Sequence, residues 1–440
     1  MEWLVAEKAT DIDVELGALE SRYAKQNAIS KAKRLAASRF LPGGNSRAVL
    51  HYDPFPIYIA GAAGSRVTDV DGNSYVDFTN DMTAGFYGHS NPLILAAIAR
   101  ALDGGISFGG PHEMEIALGE AICNRIGSIE RVRFCNSGTE ANLVAMRLAR
   151  AVAARPLVLA FHGGYHGSMA TYLNVDAPLN VDTSTMRFAK YNDEADVRRI
   201  FGECGTEIAA VIVEPMMASG GGILAEPAFL KFLRRFTTEN GALLIFDEVV
   251  TSRLSPGGFQ EIVEIAPDLT TLGKSIGGGL TFGAFGGRAG VVDRLDPTQP
   301  GAILHSGTFN NNVLTMTAGY VGLTKVATPA ALQEVNDRAD RLRETLLDIS
   351  YRNGRALTLG GYGSIISLHF QSEVPLNPDA IKTSATQRKL FHLDMLLRGF
   401  YSPRRGTINL SLATTNDDCD VFARGFAAFL ERYGGFFPAH

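Results

Sequence analysis

Cysteine is scarce, and its spacing fits neither a disulfide framework nor a metal site. The 440-residue chain has four cysteines, and no two of them form a CxxC pair. This excludes a structural zinc site of the usual pattern. A chain of this length needs no cross-links to stabilise its core. We therefore expect no bound metal and a reducing, cytoplasmic environment.

A charge excess of one sign and long apolar runs are also absent. Lys and Arg number 41 against 46 Asp and Glu, giving a formal net charge of −5, whereas nucleic-acid-binding proteins usually show a strong basic excess. No run approaches the ~18 uninterrupted apolar residues that predict a membrane span. Residues 1–17 lack the apolar core and basic flank of a signal peptide. The sequence thus predicts neither nucleic-acid nor membrane partners.

Local patterns predict an α/β protein. Residues 9–38 are rich in helix formers, and Asp71-Gly72 marks a hairpin within 55–79. Beyond these, short apolar runs alternate with helical stretches, which indicates a mainly parallel central sheet. We expect a large domain over residues 80–325 and a smaller α/β domain built from residues 1–79 and 326–440. The predicted strands are 132–135, 157–161, 208–215, 242–249 and 282–287, and the predicted helices include 113–125, 139–153, 227–239 and 417–433.

Two segments place polar groups where a strand ends. Ser137-Gly138-Thr139 lies between a strand and a helix, where free N–H groups and the helix dipole suit a phosphate. Taken alone, the same residues make an ordinary helix cap. Asp247 ends an apolar run, at the sheet edge where α/β proteins bind ligands. Carboxylates are common at strand ends, so this second signal is also weak alone.

Glycine-rich stretches flank two further candidates. Lys274 follows an apolar-leaning segment and precedes a glycine cluster, a setting that lowers a lysine pKa and permits covalent chemistry. Most lysines, however, are simply solvated. Tyr165 lies in a glycine loop and could stack on a flat ligand, or pack back on the protein. His162 and His166 have helical metal-site spacing, but three nearby glycines disfavour a helix, so we reject a metal site.

The order and spacing of these signals are specific where each alone is not. A phosphate cup, a stacking aromatic, a strand-end Asp and a Lys 27 residues later together fit a site for pyridoxal 5′-phosphate (PLP). The phosphate would anchor the cofactor, the aromatic would stack on its ring, and the Asp would hold the ring nitrogen protonated. The Lys would bond covalently to the cofactor.

Over almost its whole length, the sequence resembles the fold-type I, class III PLP-dependent aminotransferases. The motifs that carry this resemblance run in order from LPGGNSR through SGTEAN, GGYHG, VEPM, FDEVVTSR, TLGKSIGGG and HSGTFNNN to SPRRG. The nearest branch holds the β-phenylalanine (β-amino acid) aminotransferases and glutamate-1-semialdehyde aminomutase. The implied fold is a large domain with a mainly parallel sheet plus a smaller α/β domain.

The resemblance also implies a role for each residue. Lys274 and Asp247 would be catalytic, Val249 and Tyr165 would pack on the two ring faces, and Glu214 would support the site. Ser137, Gly138 and Thr139 would cradle the phosphate. Thr308 would reach the phosphate of a neighbouring subunit's cofactor, which implies a homodimer with shared active sites.

Two arginine positions distinguish the branches. Arg47 directly follows Ser46, a spacing similar to that of the β-phenylalanine aminotransferases, where this Arg binds a substrate carboxylate. In the Pro-Arg-Gly motif Arg405 aligns best, although Arg404 stays an alternative. If the pair lies on a strand, only one of the two faces the site. For a lone arginine, a structural salt bridge is the plainer interpretation.

The resemblance implies transamination of a β-amino acid, aromatic ones such as β-phenylalanine being expected, with 2-oxoglutarate or pyruvate as acceptor. The rivals are glutamate-1-semialdehyde aminomutase, an amine:pyruvate transaminase and a non-catalytic binding protein of the same fold. That last rival predicts loss of the Lys, the Asp or the phosphate cup, and all three are present. A nucleotide-binding oxidoreductase ranks lower still, because its glycine fingerprint is missing.

Overall fold

A computed structural model describes residues 11–167 and 184–440 of the chain. Its helices begin after capping residues at many points, for example at Asn91, Ser137 and Thr415. Short 3₁₀ segments and one π-helical stretch, at 322–326, connect some of them. The helices are α1 (Asp11–Gln26), α2 (Ala28–Ala37), α3 (Pro92–Leu102), α4 (Glu113–Arg125), α5 (Gly138–Ala153), α6 (Glu194–Cys204), α7 (Pro227–Glu239), α8 (Phe259–Val263), α9 (Ala289–Val292), α10 (Val313–Val321), α11 (Pro329–Arg352), α12 (Ala385–Leu397) and α13 (Asn416–Tyr433).

The strands are short and form four sheets in the described part of the chain. They are β1 (Ile59–Ala63), β2 (Arg66–Asp69), β3 (Ser74–Asp77), β4 (Arg131–Cys135), β5 (Leu157–Phe161), β6 (Met186–Ala189), β7 (Ile208–Val213), β8 (Met216–Met217), β9 (Ile223–Leu224), β10 (Leu243–Asp247), β11 (Leu269–Gly273), β12 (Gly283–Gly287), β13 (Thr358–Gly360), β14 (Ile365–His369), β15 (Phe400–Tyr401) and β16 (Thr407–Asn409).

The central sheet has seven strands in the order β4-β12-β11-β10-β7-β5-β6. Strand β12 runs antiparallel to both of its neighbours, and the other strands are parallel. Every residue of β5, β7, β10, β11 and β12 is buried. Burial on both faces explains why these strands appear as continuous apolar runs in the sequence. The prediction of an α/β fold with a mainly parallel sheet is confirmed.

Helices cover this sheet, and two of them bury either small or aromatic side chains. Helix α5 buries three alanines, at 141, 145 and 149, which lets its backbone lie close to β11 and β12. Helix α7 buries Phe229 and Phe232 instead, in the core beside β7 and β10. Because α5 lies so close to the sheet, its first turn is fixed relative to the strand ends.

Both ends of the chain contribute to one further core. Tyr23, Phe78, Phe391 and Phe426 belong to a single buried cluster. The β1-β2-β3 sheet takes β15 as its fourth strand, and β14 pairs with β13 and β16. The hairpin predicted at Asp71-Gly72 is confirmed between β2 and β3. The division into two domains at 79/80 and 325/326 stays a prediction.

Some local predictions were wrong. The single helix expected over residues 9–38 is two helices in its described part, α1 and α2, separated at Asn27, whose side chain donates to the Tyr23 carbonyl. Strand β11 was not predicted, because its sequence, LTTLG, has two leucines among five residues and forms no continuous apolar run. None of the described helices combines the length and apolarity that crossing a bilayer would require.

Candidate active site

Most of the predicted site residues lie at one edge of the central sheet, and we call them the edge cluster. The parallel strands β4, β5, β7, β10 and β11 all end there, since β4 and β11 both run opposite to β12. Asp247 is the last residue of β10, and Lys274 immediately follows β11. Glu214 follows β7 in the same way. Ligands of open α/β sheets bind at this edge, so the fold explains the meeting of residues that are far apart in sequence.

Asp247 is buried and held by hydrogen bonds from three directions. Its Oδ2 accepts from Asn142 Nδ2 at 2.7 Å and from His166 Nδ1 at 2.8 Å. Its Oδ1 accepts from the backbone N–H of Val249 at 3.0 Å. Asn142 in turn accepts a 2.6 Å hydrogen bond from the Thr271 hydroxyl. This network fixes the position of the carboxylate, and every partner donates to it.

His166 is the functional candidate that sequence reasoning missed, since His162 and His166 were considered only as metal ligands. Burial disfavours its imidazolium, but the hydrogen bond and the negative charge of Asp247 outweigh burial and raise the pKa of His166. The order of the strands in the sheet explains why His166 and Asp247 meet. His166 follows β5 and Asp247 ends β10, and β7 alone separates these two strands in the sheet.

Lys274 lies at the end of β11 with a backbone φ of +49°. This left-handed conformation is uncommon for a side chain with a Cβ. Burial lowers the pKa of Lys274, and the charges of Asp247 and Glu214 partly offset that effect. A lysine of lowered pKa has a larger fraction of neutral amine, which is the form that attacks a carbonyl.

Glu214 and Tyr165 lie together beside Asp247. Glu214 Oε2 accepts from the backbone N–H of Tyr165 at 2.8 Å, and its carbonyl accepts from the Tyr191 hydroxyl. Burial and the charge of Asp247 raise the pKa of Glu214, although the imidazole of His166 acts in the opposite direction. The Tyr165 side chain is 37% exposed. It is therefore accessible to a flat ligand, as its predicted stacking role requires.

The residues of the predicted phosphate cup lie at the first turn of α5. Ser137 is the N-cap, and its Oγ accepts from the Glu140 N–H at 3.1 Å. The helix-cap interpretation is thus correct, and the phosphate role of these residues stays a prediction. The N–H groups of Gly138 and Thr139 are among the first of the helix and have no intrahelical carbonyl to bond. A Cβ on Gly138 would lie 2.8 Å from both methyl carbons of Val249, so the cup and Val249 adjoin.

These residues fit PLP, the cofactor predicted from the sequence. A lysine of lowered pKa suits the cofactor aldehyde, and an ordered buried carboxylate suits a protonated ring nitrogen. A helix N-terminus suits the phosphate. The three features lie at the C-terminal ends of β11, β10 and β4 respectively. The individual residue roles, including ring packing by Val249 and Tyr165, stay predictions.

Arg47 lies outside this cluster. Its Nη1 pairs with Asp81 Oδ1 at 2.7 Å, and both side chains are half-exposed. The pair borders a cleft of about 710 Å³ that Tyr401 also lines. Asp81 nevertheless acts on the cluster, because its charge partly offsets the lowering of the Lys274 pKa by burial. The salt bridge that was the plainer interpretation of Arg47 is therefore present, and Arg47 remains close to the site.

Arg404 and Arg405 occupy a turn between β15 and β16, not a strand. The expectation that only one of the two faces the site was therefore founded on the wrong geometry, since strand alternation does not apply in a turn. Both line one pocket of about 520 Å³. Arg405 also donates from Nη1 to the Ser219 carbonyl at 3.0 Å. Burial and the charge of Arg404 lower the pKa of Arg405, and the charges of Tyr165 and Glu214 partly oppose that lowering.

Thr308 is exposed and does not join the cluster within one chain. It lies in the segment 301–312, which is connected to the end of β4 by a 3.0 Å hydrogen bond from Asn136 to Asn310. Two apolar residues near Thr308 in sequence are also exposed, Leu304 to 78% and Phe309 to 60%. The predicted contact of Thr308 with a neighbouring subunit is compatible with this exposure.

Comparison with known proteins gives concordant matches. Residues 49–391 match the family model described as "Aminotransferase class-III". The chain is 42% identical to the β-phenylalanine transaminase of Variovorax paradoxus over 97% of this chain and 98% of that protein. A crystal structure of a β-phenylalanine aminotransferase from that organism superposes with a TM-score of 0.94 at 41% identity, covering 97% and 99% of the two chains. A glutamate-1-semialdehyde 2,1-aminomutase of Thermoplasma acidophilum is 36% identical over 88% of this chain and 96% of its own.

Proposed function

The chain belongs to the class-III aminotransferases, which are PLP-dependent enzymes of fold type I, and from this premise we propose that it transaminates β-amino acids. The proposed reaction takes a β-amino acid and a 2-oxo acid and returns a β-keto acid and an α-amino acid. Aromatic donors such as β-phenylalanine are the expected class, with 2-oxoglutarate or pyruvate as acceptor. The observation that carries the proposal is the ordered Asp247 carboxylate at the sheet edge that also presents Lys274.

Each residue of the edge cluster has a defined task in this reaction. When bound, PLP supplies an electron sink and carries the amino group between donor and acceptor. Lys274 Nζ, with its lowered pKa, removes the proton from the carbon that bears the substrate amine and later returns one. Asp247, held by Asn142 and His166, keeps a proton on the ring nitrogen. Gly138 and Thr139 bind the phosphate through their backbone N–H groups.

Two considerations support the β-amino acid class. The spacing of Arg47 after Ser46 resembles that of the β-phenylalanine aminotransferases, and the chain as a whole is 42% identical to a β-phenylalanine transaminase. A guanidinium binds a carboxylate through paired hydrogen bonds. In the free protein the Asp81 carboxylate pairs with Nη1 of that guanidinium. The substrate carboxylate therefore displaces Asp81 or binds Arg47 together with it. Arg405, on the side of Tyr165 and Glu214, is assigned to the acceptor carboxylate.

We also propose a homodimer in which Thr308 of one subunit completes the phosphate site of the other. The segment around Thr308 lies against residues 106–112, since His112 Nε2 hydrogen-bonds to the Asn311 carbonyl at 2.6 Å and Asn312 donates to the Ile106 carbonyl. Ile106 and Phe108 are exposed on that second segment. Together the two segments present apolar surface of the kind that protein interfaces bury.

The nearest rivals are the aminomutase and the amine:pyruvate transaminase. An aminomutase needs no external acceptor, so dependence of turnover on a 2-oxo acid separates it from a transaminase. An amine:pyruvate transaminase does not require a donor carboxylate. Activity on β-phenylalanine but not on 1-phenylethylamine would therefore favour the role of Arg47 in the proposed function.

The decisive experiment is the absorption spectrum of the purified protein before and after addition of racemic β-phenylalanine without acceptor. The proposed function predicts loss of the band of the lysine-bound cofactor and growth of the band of the aminated cofactor. Lys274→Ala should lack the first band, and Lys325→Ala, on an exposed lysine, should behave as the natural protein. A band that persists with β-phenylalanine would refute the β-amino acid assignment while leaving family and cofactor unchanged.

A further inference from the structure

Four consecutive residues adopt a left-handed backbone just after β3. This left-handed turn, Asn80-Asp81-Met82-Thr83, has φ angles of +45°, +46°, +52° and +78°. Residues other than glycine normally visit that region singly, because the Cβ crowds the backbone. A run of four is therefore strained, and such strain persists only where the surrounding structure enforces it. Strain of this kind is concentrated at functional sites, which makes the turn a candidate for a functional role.

The left-handed turn is anchored at both ends. Asn80 is fully buried, and its Nδ2 donates to the Asn409 carbonyl. Thr83 is also buried, and its carbonyl lies 3.5 Å from Nη1 of the buried Arg253. Between these ends, Asp81 has an exposed side chain. The anchors therefore fix the backbone from which the Asp81 carboxylate extends.

The Asp81 carboxylate contacts one part of the Arg47 guanidinium. Oδ1 lies 2.7 Å from Nη1, and both side chains are half-exposed. Among the described residues, Asp81 alone bonds to this guanidinium. A guanidinium has five N–H donors and can therefore bind a second carboxylate through Nε and Nη2. Because the anchored turn holds Asp81 in place, we expect the donor carboxylate to bind that remaining edge without displacing Asp81.

The pairing of Asp81 with Arg47 changes which ligands the site attracts. The pair has no net charge, so it attracts a simple carboxylate less strongly than an unpaired arginine does. A β-amino acid brings an ammonium as well as a carboxylate. The charge of Asp81 also acts where the substrate amine reacts, since it partly offsets the lowering of the Lys274 pKa by burial. A zwitterion is thus attracted by both members of the pair, whereas an anion is attracted by Arg47 and repelled by Asp81.

We propose that Asp81 is a specificity-determining residue, which makes the Arg47 site prefer zwitterionic amino donors over simple carboxylates. The left-handed turn holds Asp81 in the position that this role requires. The inference rests on the proposed function and deepens it. Both the acceptor and the product of the proposed reaction are keto acids, and Asp81 would keep their carboxylates from occupying the donor site.

The test compares β-phenylalanine with 3-phenylpropanoate, which has the same skeleton without the amine, in Asp81→Asn. Asparagine keeps the shape of the side chain and tolerates a left-handed backbone. We expect the inhibition constant of 3-phenylpropanoate to fall by ~5-fold, the effect of one half-exposed charge. KM for β-phenylalanine should change by less than ~2-fold, because the attraction lost at the ammonium offsets that gained at the carboxylate. The matched control is Asp348→Asn, which removes a half-exposed carboxylate paired with Arg352 and should alter neither constant.

A calorimetric titration separates this inference from the proposed function. Binding of 3-phenylpropanoate to the holoenzyme needs no turnover and no identified donor. Binding that tightens ~5-fold in Asp81→Asn but not in Asp348→Asn supports the role of Asp81 even if β-phenylalanine is not the donor. Binding that stays unchanged or cannot be detected would overturn it. An inhibition constant and a KM that change by the same factor would also overturn it, because a merely structural residue has that effect. The half-reaction spectrum decides the proposed function independently.

Discussion

At the residue scale, the contact between His166 and Asp247 is the part of the site with the most direct consequence. His166→Gln keeps a hydrogen-bond donor near Asp247 but removes the positive charge. We expect kcat to fall ~10- to 100-fold with a smaller change in KM, because a less firmly held Asp247 stabilises the protonated ring nitrogen less well. The control is His162→Gln, which changes the half-buried histidine four residues earlier.

The same pair makes the stability of the protein depend on pH. Asp247 raises the pKa of His166 above its value in the unfolded chain. The folded state therefore gains stability that is complete below the unfolded-state pKa of about 6.5 and disappears as the pH rises through the folded-state pKa. The free energy of unfolding lost in His166→Gln should be larger near pH 6 than near pH 9, measured by urea denaturation. A difference that does not vary with pH would show that His166 is neutral in the folded protein.

Arg47 permits a prediction that separates binding from catalysis. Arg47→Ala should raise KM for β-phenylalanine by ~10- to 100-fold, the effect of losing a guanidinium–carboxylate pair, with a smaller effect on kcat. Steady-state kinetics at saturating acceptor give both constants. Arg39→Ala, on an exposed arginine nearby in sequence, serves as control. An unchanged KM would mean that Arg47 forms only the salt bridge with Asp81 that the free protein shows.

At the scale of the element, the first turn of α5 is the most sensitive point. Gly138→Ala should weaken PLP binding by at least ~10-fold, because its Cβ would crowd Val249 and displace the N–H groups that are predicted to bind the phosphate. Gly17→Ala in α1 is the matched control, since a Cβ there meets nothing within 4 Å. It should stabilise the fold by ~0.5–1 kcal/mol, as alanine does in helices. Dialysis and cofactor titration measure the first effect.

The elements that sequence reasoning predicted well are those whose signal is local. Strand β5 and helix α7 were predicted with the bounds that the structure has, because continuous burial and amphipathic spacing leave a direct pattern. Strand β11 left none, although it positions Lys274. The partners of Asp247 were also missed, since Asn142 lies 105 residues away in sequence and their meeting depends on strand order. The turn that places Arg404 and Arg405 on one pocket is equally a product of packing.

At the scale of the whole molecule, the proposed dimer makes each active site depend on two chains. Lys274 belongs to the edge cluster of its own chain, whereas Thr308 is exposed on the segment 301–312. Thr308→Asp would place a negative charge beside the phosphate of the partner's cofactor, and like charges repel. Lys274→Ala homodimers and Thr308→Asp homodimers should therefore both be nearly inactive.

Mixed dimers of these two variants test the shared site directly. In a mixed dimer, one site combines the intact Lys274 of one chain with the intact Thr308 of the other, and the second site has both changes. An equal mixture that exchanges subunits should recover about a quarter of the natural activity, because half of the dimers are mixed and each has one working site of two. If Thr308 served the site of its own chain, both sites of every mixed dimer would be damaged and no activity would return. Mixing Lys274→Ala with Asp247→Ala, two changes in the same cluster, is the control and should recover nothing.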